Sequence, residues 1–405
     1  MNNNRPLSGI KVVELAGFVA APSCAKLLTD MGADVTKIEV MSGDPWRVVG
    51  KDCTQRGDVE NPIYDVYNAG KKSICLNIKA PGGMECILKL LENADVFVTN
   101  MRQKSLVKAG LDGKTLTEKF PRLIHATITG YGNEGPDANA PGFDGIAYWA
   151  KSGFLADMSV NTGNQYPVLA PTGMGDTITG VSLYGAIATA LYTRERTGRG
   201  DCVTTSLFAN AIWSMCCMVI RGEEKYGERF PKFRYEDSPV TCPYRCADGE
   251  WFAITILEYD RYAPHFYEIL GVTDKVVHEM GIHNLNDALS RRGELIPVLE
   301  QAFLQKPAAE WKTLLSAADI TCCIMSHFKN VERDPQAWAN GYLQEMTMRN
   351  GETMAMPRTP MHFASSEALQ FEVASMPGDE TDEILENAGF SADEIAQLKA
   401  QGAVK

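Results

Sequence analysis

Histidine is scarce in this chain, with six in 405 residues. They stand at 125, 265, 278, 283, 327 and 362, at no spacing that would build a metal site or a nucleophile–base pair, so they read as structural and no metal is expected. Basic residues are also in deficit. Lys and Arg total 39 against 51 Asp and Glu, a net charge of −12, which excludes a general nucleic-acid binder. An anionic ligand is still allowed, because local Lys and Arg decide a site more than the sum does. No uninterrupted apolar run reaches membrane-spanning length. The start, Met1 to Arg5, leads into Pro6-Leu7 without the apolar core of a secretory signal, so a cytoplasmic protein is expected.

A P-loop and a dinucleotide fingerprint are missing as well. Gly130-Tyr-Gly132-Asn-Glu-Gly135 matches G-x-G-x-x-G after a strand-like run, but Pro136 to Gly142 then reads as loop where a helix would have to open. The first strand–helix turn, Ala16 to Ala21, carries no such glycines. Nicotinamide cofactor binding is therefore unsupported. Cysteine is not scarce: there are eleven, an odd number. Cys216-Cys217 and Cys322-Cys323 lie in apolar runs, and Cys242 and Cys246 have no second pair to complete a zinc site. They are expected to be reduced and mostly buried. There is no internal repeat or low-complexity segment.

What is present is alternation. Ile10–Leu15 is a β-type run, Pro22 suits a helix start, and Cys24, Leu27, Leu28 and Met31 fall at helical spacing before Gly32. Asp34–Val40 is the next strand, which makes a βαβ unit. Strands over Ser73–Ile78, Asp95–Thr99 and Leu123–Thr129 continue the pattern, with a helix over Gly82–Leu91, and a turn at Thr197–Gly200 leads into Asp201–Ser206. The fold class is α/β, an open Rossmann-like sheet with ligands at the C-terminal strand ends, after Leu15, Val40, Thr99 and Thr129. A long apolar helix is expected through about Ile220, and a linker over 221–237. Beyond it come a hairpin around Ala247-Asp248-Gly249 and a strand over Ile320–Met325. Helices follow at Glu380–Ala388 and Ala392–Ala400, the second opening on the Ser391/Glu394 capping box. The domains are then 1–224, a large unit; 225–330, a smaller α+β unit; and 331–405, a linker and a return to the large unit.

Asp176 stands out. It lies among small residues, Gly173, Gly175 and Gly180, just ahead of a helix-period run with Tyr184, Ile187, Ala188 and Leu191 on one face. One reading is a helix cap. The other is a nucleophile approached by a bulky substrate over the bare glycines, its charge favoured by the helix N-terminus.

In order along the chain come Pro6-Leu7-Ser8-Gly9-Ile10, Met31-Gly32-Ala33-Asp34-Val35, Asn68-Ala69-Gly70-Lys71-Lys72-Ser73, Phe143-Asp144, Gly175-Asp176, Thr197-Gly198-Arg199-Gly200, Ala247-Asp248-Gly249 and Asp334-Pro335. Together these segments resemble the class III CoA-transferases, the family of formyl-CoA and carnitine CoA-transferases, nearly end to end. The resemblance implies a large domain built from both chain ends, a small domain, and an interlocked homodimer. It implies Asp176 as the nucleophile that forms aspartyl-anhydride and aspartyl-CoA intermediates; an ordinary Asp with a pKa of ~3.9 is already ionised at pH 7. Oxyanion donors are then expected among the backbone N–H groups of Phe18, Val19 and Asp176.

The same resemblance implies Asp144 as an acidic active-site residue, although a turn-forming Asp fits there too. It implies Phe18, Val19, Lys71, Lys72, Ser73, Asn100, Met101, Arg102 and Lys108 as contacts to the CoA moiety. For Lys71 and Lys72 a solvated surface pair fits equally. Lys108 aligns with a family arginine and would lose bidentate phosphate geometry. Coenzyme A enters as a thioester co-substrate, with no tightly bound cofactor. Val19 stands where formyl-CoA transferase has glutamine, which argues against formyl or oxalyl substrates. Phe143 stands where the related racemases carry a histidine, and a phenyl ring moves no protons. The pattern most resembles the branch serving (R)-2-hydroxy acids such as phenyllactate or 2-hydroxyisocaproate in amino-acid fermentation, with bile-acid and carnitine transferases as alternatives. A CoA-binding relative without turnover is a third reading, which the intact Asp176 opposes.

Overall fold

The computed structural model describes residues 5–48, 61–158, 169–226, 234–366, 370 and 372–405. Residues 227–233 of the expected linker lie outside them, as do the first four residues. The chain divides into two compact units, one of Met1–Leu155, Leu169–Gly227 and Pro335–Lys405, the other of Ala156–Val168 and Glu228–Asp334.

The first unit is built on β1 (Lys11–Leu15), β2 (Asp34–Glu39), β3 (Lys72–Cys75), β4 (Val96–Thr99), β5 (Ile124–Thr129) and β6 (Cys202–Ser206). Their order in the sheet is β3-β2-β1-β4-β5-β6, and every neighbouring pair is parallel. The order reverses between β1 and β4, so the loops leaving these two strands part and open a crevice at their C-terminal ends. β3 stops at Cys75, short of the expected Ile78, because the chain turns to meet its own C-terminus. There Leu76 bridges to Val404, and the Asn77 N–H donates to the Ala403 carbonyl at 2.8 Å.

Alternate strand residues feed two cores, as a sheet covered on both faces requires. Val12, Val35, Val98 and Ile128 pack under α1 (Ala20–Asp30) with Ala21, Cys24 and Leu28. The helix that carries Asp176 closes the same face with Leu183, Ile187 and Leu191. Val13, Ile38, Ile74 and Phe97 point the other way, into a core completed by Ile87, Leu106, Leu116 and the C-terminal Ile384, Leu385, Ile395 and Leu398. α2 (Pro62–Asn68) packs against α1, while Ile87, Leu106 and Leu116 come from α3 (Gly83–Glu92), α4 (Gln103–Ala109) and α5 (Gly113–Lys119). The last helix, Ala392–Ala400, opens on the Ser391/Glu394 capping box.

Three expectations need correction. The long apolar helix toward Ile220 breaks at Met215, where φ is −108° and ψ is 21°, into Leu207–Ser214 and Cys216–Arg221. Nothing on the second piece is buried, so Cys216 and Cys217 are exposed, as are Cys202 and Cys323, whereas Cys24, Cys75, Cys86, Cys242 and Cys246 are buried. The stretch taken as linker after 331 also holds an antiparallel hairpin, Leu343–Thr347 with Thr353–Pro357. The turn dipeptide Asn350-Gly351 between the two runs could have revealed it.

The second unit has a three-stranded antiparallel sheet, Pro243–Arg245, Trp251–Ile254 and Cys322–Ile324, with the expected hairpin turning at Gly249. Its core is aromatic, with Tyr244 stacked on Phe303 at 4.8 Å beside Phe252, Phe266 and Trp311.

Candidate active site

Asp176 does not precede its helix. α6 runs over Met174–Thr197, with Gly173 as N-cap at φ +76°, so Asp176 is the third residue of the first turn and the capping reading fails. α6 lies tightly against α1. A Cβ on Gly180 would stand 2.0 Å from Ser23 Oγ and 2.9 Å from the Ala20 carbonyl oxygen, so only glycine permits this approach. The bare face of Gly173 is 3.6 Å from the Val19 side chain, which brings the N-termini of α1 and α6 together beside Asp176. Gly175 has another role than the one expected. Its Cβ position is filled by Asp144 Oδ1 at 2.3 Å and the Tyr148 ring at 2.4 Å, so the missing methyl makes room for protein rather than for substrate.

Asp144 opens the turn Asp144–Ala150 and is buried. Its Oδ2 accepts the Gly173 N–H at 2.8 Å, and the Gly175 and Asp176 N–H groups also favour its charge. Asp144, not Asp176, thus accepts the N–H of the α6 N-cap residue. Burial still pushes the Asp144 carboxyl up. Burial, and then the neighbouring Asp144 charge, push Asp176 up to about 7. The helix N-terminus and an ordinary carboxylate pKa both favour a fully charged Asp176 at neutral pH; desolvation and a like charge outweigh them.

The loop after β1 is held by buried ion pairs. Phe18 has φ +64°, rare for a residue with a side chain, and its N–H donates to Asp44 Oδ1 at 3.1 Å. Asp44 pairs with Lys37 at 2.9 Å, Lys37 with Glu14 at 2.7 Å, and Glu14 with Lys71 at 2.7 Å. Lys71 is buried, and its ammonium also donates to the Pro22 carbonyl and to Asn68 Oδ1. It is neither a surface lysine nor a group facing the cleft, because those three acceptors use all its donors. Lys72 reaches Glu383 at 2.9 Å, and Ser73 donates its hydroxyl to Glu39 at 2.7 Å. Lys71 and Ser73 are therefore part of the frame behind the cleft, while Lys72 keeps to the surface. Of the three expected oxyanion donors, the Phe18 N–H is engaged by Asp44, which leaves Val19 and Asp176.

A cleft of about 340 Å³ is lined by Phe18, Asn100, Met101, Arg102, Phe143 and Asp176 among others. At Gly17, Asn100 and Met101 it meets a groove of about 620 Å³ over the ends of β1, β2 and β3, bordered by Val40, Ser42, Pro45 and Lys79. Asn100 holds the seam, accepting from the Gly17 N–H at 3.2 Å and donating to the Gly17 carbonyl at 2.7 Å. Val19 is buried behind Phe18, and Lys108 is exposed on α4 and lines neither space. Lys79 was not anticipated, although a lysine just past a strand end is where an anionic ligand is met. Among the described residues no cluster of His, Cys, Asp or Glu has the makings of a metal site.

Residues 7–381 match the family model described as CoA-transferase family III. The chain belongs to that family. Over 401 residues it is 34% identical to an (R)-2-hydroxy-4-methylpentanoate CoA-transferase of Clostridioides difficile, covering 98% of this chain and 99% of that one. It is 36% identical to a cinnamoyl-CoA:phenyllactate CoA-transferase of Clostridium sporogenes, covering 98% and 97%. A crystal structure of a CAIB/BAIF family protein from Brucella suis superposes with a TM-score of 0.80 at 26% identity, over 95% of this chain and all of that one. This CoA-transferase thus shares the α/β fold of that family member, and Asp176 lines its cleft at the β1/β4 reversal.

Proposed function

We propose that this CoA-transferase moves CoA from an acyl-CoA, of the 2-enoyl or arylacryloyl type, to an (R)-2-hydroxy acid, with Asp176 as covalent nucleophile. The single observation behind the site is the placement of Asp176 in the cleft at the converging N-termini of α1 and α6. A carboxylate oxygen of Asp176 attacks the thioester carbonyl, the C–S bond breaks, and the CoA thiolate leaves an acyl–aspartyl anhydride. The thiolate then attacks the aspartyl carbonyl and releases the donor acid as its carboxylate, leaving aspartyl-CoA. The acceptor carboxylate attacks that thioester, and the expelled thiolate takes the new acyl group from the second anhydride, which returns Asp176 as carboxylate. No proton need move in these exchanges, which suits a site without a paired histidine.

The nucleotide and pyrophosphate of CoA fit the groove over β1–β3, with Arg102 and Lys79 as phosphate partners and Asn100, Met101 and Phe18 along the pantetheine path. The acyl substrate reading rests on the two relatives named above and on the apolar Phe18–Phe143 pair, edge to face at 5.3 Å. Phe143 just before Asp144 again disfavours racemisation, since no proton carrier stands there. Exposed Ile212, Trp213, Met218, Val219 and Ile220 support the homodimer, because an apolar surface of this kind is normally covered by a partner. A cytoplasmic setting in amino-acid fermentation completes the reading.

Incubation with cinnamoyl-CoA followed by hydroxylamine and peptide mass spectrometry tests the chemistry. A hydroxamate on Asp176 is expected; adduct-free protein that still turns over sinks the covalent route. Assays of one donor with a panel of acids test the acceptor, and preference for a bile acid or carnitine overturns the 2-hydroxy acid reading.

A further inference from the structure

Tyr67 lies on α2, far in sequence from Asp176, yet its hydroxyl stands 3.1 Å from Thr177 Oγ1, on the residue after the nucleophile. It also stands 3.5 Å from the open face of Gly173. The ring is half-buried against the cluster of Val19, Trp46 and Tyr64 that also carries Phe18. Two hydroxyls that touch share one hydrogen bond, and its direction can be assigned. Thr177 Oγ1 donates its only proton to the Gly173 carbonyl at 2.8 Å, as a threonine in a helix commonly does. The Tyr67 proton therefore goes to Thr177, and the Tyr67 oxygen is left as an acceptor.

An acceptor is an unusual group to find against the helix turn that carries a nucleophilic carboxylate. It offers no donor to Asp176 and none to an oxyanion. Consistently, nothing offsets burial and Asp144 in raising Asp176, and the Asp176 charge acts on the phenol only through space. What such a group selects is a substrate that brings its own proton. A 2-hydroxy acid does so from the carbon next to the carboxyl carbon that Asp176 engages.

We infer that Tyr67, held by Thr177, is the specificity-determining residue that accepts a hydrogen bond from the 2-hydroxyl of the acid. The inference rests on the 2-hydroxy acid reading of the same site. An enoyl or saturated acid lacks the proton and leaves Tyr67 without that bond, so the pair separates the two classes of acid that this reading has the enzyme exchange. The contact is a neutral hydrogen bond, which corresponds to about a three- to tenfold preference.

The test uses the full-length enzyme with cinnamoyl-CoA as donor and two acceptors that differ by one group, (R)-phenyllactate and 3-phenylpropanoate. For wild type, kcat/KM is expected to favour phenyllactate. Tyr67→Phe should lose that preference, about three- to tenfold, while 3-phenylpropanoate is used within about twofold of wild type. Thr177→Val keeps the tyrosine but frees its proton, and should lower the preference likewise. Equal losses on both acids in Tyr67→Phe would mean a packing role and overturn the assignment. Wild-type transfer without preference overturns it too, while leaving CoA transfer standing. Transfer to neither acid removes the 2-hydroxy acid reading and this assignment together.

Discussion

Asp144 Oδ2 accepts the Gly173 N–H at 2.8 Å, and its other oxygen fills the space that a side chain on Gly175 would occupy. The residue that braces the first turn of α6 is therefore also the like charge that raises Asp176. Asparagine separates these roles, because its amide oxygen still accepts from Gly173 while the charge is gone. In Asp144→Asn the Asp176 carboxyl should ionise at lower pH, so the acid limb of the kcat/KM profile moves down in pH. Asp144→Ala removes the brace as well and should cost about 1 kcal/mol of stability, as lost helix caps do. An unmoved acid limb in Asp144→Asn would show that burial alone sets the Asp176 ionisation.

Gly175→Ala places a methyl 2.3 Å from Asp144 Oδ1 and 2.4 Å from the Tyr148 ring. Neither neighbour is the free end of a flexible chain, so the turn must shift. Overpacking of this kind costs about 1–3 kcal/mol. Misplacing the nucleophile by about 1 Å costs a further hundredfold or so in rate. Gly185→Ala, further along α6, meets nothing within 4 Å and should be neutral or stabilising by about 0.5–1 kcal/mol. Denaturant melts and initial rates on the two variants make the comparison; equal behaviour would refute the close fit at Gly175.

Much of the sheet was legible because β-type runs and helical spacing alternate without interruption, and parallel strands follow from the connections between them. The hairpin turning at Asn350-Gly351 is equally legible from that dipeptide. Other features lie beyond local pattern. Phe18 adopts φ +64° because Asp44 draws in its N–H. Two adjacent lysines look solvated on paper, and only the fold shows that Lys71 is buried against Glu14 while Lys72 faces Glu383. Asp176 is recognisable in the sequence, but its raised pKa depends on burial and then on the approach of Asp144, which no spacing reveals.

Asp176 also bears on stability. Its folded pKa of about 7 lies above the ordinary value of 3.8, so the folded state holds the proton more tightly than the unfolded chain. Between about pH 4 and 7 the folded state therefore binds more protons, and stability falls as pH rises through that window. Asp176→Asn removes the titration. Its Tm should exceed that of wild type at pH 8, and the gap should narrow toward pH 4. A constant gap across this range would mean that Asp176 ionises as easily when folded.

Lys37 sets the frame on which the cleft rests. Its side chain is 1% exposed, and the ammonium lies 2.7 Å from Glu14 and 2.9 Å from Asp44, with the Ala16 carbonyl at 3.2 Å. Lys37→Met keeps the volume, leaves Glu14 with Lys71, and takes from Asp44 its ion-pair partner among the described residues. Breaking a buried pair from one side costs about 3–5 kcal/mol, because the remaining charge is still desolvated. Since Asp44 also receives the Phe18 N–H, the turn that carries Phe18 should loosen, and KM for acyl-CoA should rise even at temperatures where the variant is folded. Adding Asp44→Asn removes the orphaned charge while keeping an acceptor for Phe18. The double variant should regain part of the lost stability and most of the lost KM. Chemical denaturation and steady-state kinetics on the three variants decide it: if Asp44→Asn lowers stability equally with and without Lys37, the two side chains are uncoupled and the buried pair does not hold the loop.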